Sequence, residues 1–93
     1  MRSIDTTTLA TILFVSQAPA AEFTTDPART RELIHQTAAR LGPDSAARAN
    51  AEAGWEYGRH PETAADHMRV CLQAVETADV QTLASALHPA VTR

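Results

Sequence analysis

The chain has 93 residues, 44% of them apolar and 20% charged, and a net charge of −3. That length supports one helical domain over 1–93 whose small core hides roughly 60–65% of the unfolded surface. The acidic balance argues against nucleic acid bound through a wide basic face, and the lone Cys71 excludes an internal disulfide and a Cys-pair zinc motif.

All eight basic residues are arginine, the coding bias expected of a GC-rich genome such as that of an actinobacterium or one of its phages. Aromatic residues are few, and alanine, the best helix former, takes their place. The fold class expected is all-α, a compact bundle of four to five short helices.

The first helix is expected over 5–17, with Asp5 as its N-cap. Leu9 to Val15 is an unbroken apolar run with no polar face, which suits a helix that is central or covered on two sides. Residues 11–15 are also rich in β-branched and aromatic side chains, so a short strand is the alternative. Ala18-Pro19-Ala20 looks like a small-residue cleavage site, which makes secretion the minority expectation. Asp5 and the neighbouring threonines stand where a signal segment carries positive charge, so a cytoplasmic location is expected. The run is too short to cross a bilayer. Residues 18–25, with Pro19, read as a linker.

The second helix has clear ends. Asp26 caps it, Pro27 occupies its first position, and Gly42 stops it before Pro43. Leu33, Ile34, Thr37, Ala38 and Leu41 form its apolar stripe. A third helix is expected over 44–57. Ala47, Ala51, Gly54, Trp55 and Gly58 share one face there, and close helix contact through the small residues is expected to take Trp55 into the core, with an exposed anchor at the edge of the small-residue groove as the alternative.

Gly58-Arg59-His60-Pro61 breaks the chain before a fourth helix over 61–77. Glu62, Asp66, Arg69, Gln73 and Glu76 form a narrow polar strip on it, and the apolar remainder is wide enough for the central helix of the bundle. Asp79 reads as the cap of a fifth helix with the stripe Val80, Leu83, Ala84 and Leu87. Pro89 is expected to stop it, leaving 90–93 as a frayed tail.

Two stretches resemble known motifs. Thr37-Ala38-Ala39-Arg40-Leu41-Gly42-Pro43-Asp44-Ser45 resembles the middle of a helix-turn-helix, with alanine and then glycine four residues later. The resemblance covers about twenty residues and departs at Arg48, where the second helix should carry an apolar residue. It implies a DNA-binding regulator with Arg40, Arg48 and Asn50 as contacts. An ordinary helical hairpin with a glycine C-cap accounts for the same residues. The third and fourth helices resemble a single tetratricopeptide-type hairpin. Ala64, Met68 and Cys71-Leu72 match its second helix and Trp55 its first, while Arg48, Ala51 and Glu52 depart from it. That resemblance implies an antiparallel helix pair and no solenoid.

His67 and Cys71 stand four apart on one helix face, a usable spacing for two metal ligands or a small-molecule site. No second ligand pair completes a tetrahedron, and both residues fit an apolar face. Glu62 with Asp66, and Glu52 with Glu56, are carboxylate pairs beside Arg69 or Arg48, which reads as solvated charge. No phosphate loop, nucleophile elbow or His-Glu-x-x-His occurs, so neither an enzyme nor a cofactor is expected.

The apolar first helix and the wide arc of the fourth leave more apolar surface than the chain can hide. The expected function is therefore a small non-enzymatic interaction or regulatory module, forming a homodimer or binding a helix of another protein. Leu13, Phe14, Met68 and Val70 are the expected contacts.

Overall fold

The structure, a computed structural model, describes residues 6–92, with side chains described through residue 78. Five helices follow one another: α1 (Thr6–Val15), α2 (Ala20–Phe23), α3 (Pro27–Leu41), α4 (Ser45–Arg59) and α5 (Pro61–Thr92). No strand occurs among the described residues, so the all-α bundle expected from the sequence is the observed fold. The cap expected at Asp5 lies outside the described residues.

The β-branched segment of α1 is helical for a reason of hydrogen bonding. Ala10, Thr11, Ile12, Leu13, Phe14 and Val15 are all buried. A lone strand in that position would leave its peptide groups unpaired inside the core, whereas a helix pairs its own. Thr11 donates its hydroxyl to the Thr7 carbonyl at 2.8 Å, so its polar atom is also satisfied. Gln17 ends the helix with a left-handed φ of 65°, and Ser16 ties the exit together by donating to the Leu13 carbonyl at 2.6 Å.

α1 touches α3, α4 and α5 and is the enclosed helix of the bundle. The expectation that helix 61–77 is central holds for its contacts and not for its burial. That segment does reach all four other helices, but it keeps a solvent face, and its polar strip of Glu62, Asp66, Arg69, Gln73 and Glu76 is exposed. Ala64, Cys71, Ala74, Val75 and Ala78 form its buried seam.

The stretch 18–25 is not a plain linker. Its single turn α2 puts Phe23 into the core at 1% exposure. The Thr30 hydroxyl, also buried, donates to the Phe23 carbonyl at 3.1 Å and anchors the turn to α3. Arg29 clamps the same junction by pairing with Glu22 and, at 2.8 Å, with Glu32. The two carboxylates hold its guanidinium above its ordinary pKa.

α3 is as the sequence predicts. The Asp26 side chain accepts from the Arg29 backbone N–H at 3.1 Å, and Pro27 begins the helix. Gly42, at φ 89°, closes it by donating its N–H to the Ala38 carbonyl at 3.0 Å. Leu33, Thr37 and Leu41 are buried, with Ile34 and Ala38 half-buried beside them.

Two expectations about the later helices are corrected. Helices 61–77 and 79–88 are one helix of 32 residues, about 48 Å long. Nothing between Glu76 and Val80 breaks a helix, because Ala78 is a strong helix former and Asp79 is tolerated inside one. Pro89 removes one backbone hydrogen bond, but its fixed φ is helical and the helix continues to Thr92. The stripe of Val80, Leu83, Ala84 and Leu87 lies outside the residues whose side chains are described.

The second correction concerns α4. Its buried face carries Ala49 and Ala53, at 0% and 6% exposure. Ala47, Ala51, Gly54 and Gly58 face outward, and Trp55 is 71% exposed. Residues 49 and 53 lie on the opposite side of the helix from 47, 51, 54 and 58, so only one alanine face could enter the core.

Candidate functional site

Two places on the surface stand out, and α4 contributes to both. The first is its outer face. Gly54, Trp55, Gly58 and Arg59 surround a shallow open depression. Around the helix, Arg48, Trp55 and Arg59 fall on one flank of the small-residue stripe, and Asn50 and Tyr57 on the other. No residue within 4 Å would meet a Cβ added at Gly54 or Gly58. The two glycines are therefore not required by contacts within the chain.

The second place is a cleft of about 210 Å³ where the end of α1 meets α4 and α5. Phe14, Val15, Gln17, Glu52, Glu56 and His67 line it. The aromatic wall is a short stack. Tyr57 lies over Phe14 at 5.9 Å and 17°, and the His67 ring stands 5.2 Å from Phe14 and 6.5 Å from Phe23. Arg40 crosses from α3 to one edge of the cleft. It donates to the Val15 carbonyl at 3.2 Å and pairs with Glu52 at 3.6 Å. The Nε2 atom of His67 is buried without a hydrogen-bond partner among the described residues.

The residues singled out in the sequence fall in different places. Leu13 and Phe14, expected as partner contacts, are inside the core at 0% and 4% exposure. This removes them from the surface, because the apolar run that suggested an interface is hidden by the chain's own helices. Met68 and Val70 are half-buried on α5. Val70 lines a small recess of about 140 Å³ with Thr24, Gln73, Ala74 and Thr77.

Arg40, the first DNA contact implied by the helix-turn-helix resemblance, is tied to Val15 and Glu52. Arg48 and Asn50 are exposed, but lie about 160° apart around α4, so one groove cannot receive both. Cys71 is fully buried, and burial pushes its thiol pKa up to about 12. A thiol held protonated is a poor metal ligand, and no cluster of three or more ligating side chains occurs among the described residues. No described helix is long and apolar enough to cross a membrane.

Sequence reasoning missed the outward turn of Trp55 and the meeting of His67 with Glu52 and Glu56. The carboxylate spacing was visible, but the approach of α1's end to that pair is a product of the tertiary fold. No family model matches this chain, and no curated protein or solved structure is detectably similar to it.

Proposed function

We propose that this chain is a small non-enzymatic interaction module that binds an acidic amphipathic helix of another protein against the outer face of α4. The observation that carries this reading is Trp55, a large apolar side chain 71% exposed beside Gly54 and Gly58. Exposed tryptophan is costly to leave in water and is the residue type most enriched among binding hot spots. Small residues beside it let a second helix approach closely, and the indole supplies the anchor.

Charge selects the occupant. Trp55 lies beside Arg48 and Arg59, and the carboxylate next to them, Glu52, is paired with Arg40 at 3.6 Å. A second copy pairing through the same face would bring only that engaged carboxylate to the arginines, whereas a helix with glutamates beside its apolar ridge would match both of them.

The test uses two synthetic amphipathic helices with the same leucine ridge, one flanked by glutamate and one by lysine. Trp55 is the single tryptophan, so its fluorescence reports this face alone. Saturable change with the glutamate peptide, weakened at least tenfold by Trp55→Ala and absent with the lysine peptide, is the expected result. Equal response to both peptides, or a stable dimer by light scattering that Trp55→Ala dissolves, would overturn it.

A further inference from the structure

The outer face of α4 carries more pattern than one exposed indole requires. Ala47, Ala51, Gly54 and Gly58 are all exposed and follow one another at intervals of four, three and four residues. On a helix these positions fall within an arc of about 60° and form a flat row about 16 Å long that follows the axis. Nothing within the chain accounts for the two glycines. Glycine is a poor helix former, and a Cβ added at either position would meet no atom within 4 Å.

The two sides of the row differ. Arg48, Trp55 and Arg59 line one side, and all three are exposed. The arginines stand eleven residues apart, about 16 Å along the helix and within about 20° around it. Neither forms an ion pair among the described residues, since Glu52 between them is engaged by Arg40 at 3.6 Å. The other side carries Asn50 and Tyr57 and no charged residue.

We infer that the partner helix lies along α4 at a shallow angle and carries two carboxylates eleven residues apart, both on the side that faces Arg48 and Arg59. This rests on the reading of the outer face given above and deepens it by assigning the partner's sequence pattern. A row that repeats every seven residues selects a crossing of about 20°, whereas a crossing near 50° would touch only the middle of the row. At a shallow crossing the two helices advance together turn by turn. Partner residues eleven apart then match α4 residues eleven apart, while carboxylates four apart, about 6 Å along their helix, reach only one arginine. The small residues let the axes approach to about 8 Å, with Trp55 packed against the partner's side. A carboxylate placed toward Asn50 and Tyr57 would lose water without gaining a counter-charge, so that side of the partner is uncharged.

The experiment uses three amphipathic peptides of equal length and composition, each with the same apolar ridge and two glutamates. In the first, the glutamates stand eleven apart on one side of the ridge. In the second they stand four apart on that side, and in the third they are split between the two sides. Each is titrated into the intact chain, with Trp55 fluorescence as the readout. The first peptide should bind about three- to fivefold tighter than the others, because it alone reaches both arginines. Arg59→Gln should remove this advantage, and Arg48→Gln should do the same. In 1 M salt the three affinities should converge. Equal affinities for the wild-type chain, or an advantage that survives both substitutions, would overturn the inference and leave the reading of the outer face standing. No fluorescence response to any of the three would overturn both.

Discussion

α1 and α4 lie against each other and treat their aromatic residues in opposite ways. α1 hides Phe14 together with Ala10, Thr11, Ile12, Leu13 and Val15, and leaves only its first turn, around Thr7, at the surface. α4 buries two alanines and presents its indole to water. The difference shows that hydrophobicity alone does not decide burial in a small domain. Once α1 fills the centre, its neighbours need thin faces, and α4 meets the core with methyl groups. Turning α4 to bury Trp55 would remove Ala49 and Ala53 from the core and bring in a side chain several times larger.

The comparison breaks most clearly at Phe14. Replacing it by alanine removes a buried ring and its stack with Tyr57 and His67. A loss of about 3–5 kcal/mol is expected, read as a lower urea midpoint. Wild-type stability in Phe14→Ala would mean that α1 is not the enclosed helix.

Alkaline pH probes the same enclosure from α5. The folded chain keeps the Cys71 proton to about pH 12, whereas an ordinary thiol ionises near pH 9. Above that lower value the unfolded chain has released a proton that the folded one retains. Stability from this group is therefore full below about pH 9 and falls as pH rises toward 12, by at most about 1.4 kcal/mol per pH unit. Urea melts of wild type and Cys71→Ala should diverge in slope only in that window. Parallel profiles would show that the thiol is not enclosed.

Gly54→Ala should act in the other direction. The position is helical and open, so the added methyl group should stabilise the monomer by about 0.5–1 kcal/mol. The same methyl should weaken the glutamate peptide by crowding its approach. A destabilised monomer would place the outer face of α4 inside the fold. The smallest change in stability is expected for Trp55→Ala, within about 0.5 kcal/mol of wild type by thermal melting, because a mostly exposed side chain contributes little to folding. A large loss of stability would bring the indole back into the core.

Much of this fold was legible in the sequence wherever local chemistry decides the outcome. Asp26-Pro27 and Gly42 delimit α3 because a cap, a fixed φ and a left-handed residue act on their own neighbours. The polar strip from Glu62 to Glu76 stays in water because charge is costly to bury. Choices between near-equal faces were not legible. α4 has two faces of small residues, and helical periodicity cannot rank them without knowing which one α1 needs. Thr77 to Asp79 was ambiguous for a similar reason, since an aspartate that can cap a helix can also sit inside one. Of the cleft, only the Glu52 and Glu56 spacing was visible. Its other walls come from the end of α1 and from α5, and their meeting depends on the tertiary fold.

The enclosure of α1 has a consequence in time. The most apolar stretch of the chain leaves the ribosome before every helix that covers it. The last part of its cover, the seam ending at Ala78, follows more than sixty residues after Val15. At synthesis rates of about 5–20 residues per second, that delay is roughly 3–13 s. During it, Ile12, Leu13 and Phe14 have no native shelter, so the nascent chain depends on transient contacts or on chaperones until α5 arrives. A bundle organised around a helix made before its cover is thus most vulnerable to aggregation while it is being made, however secure that helix becomes once the bundle closes.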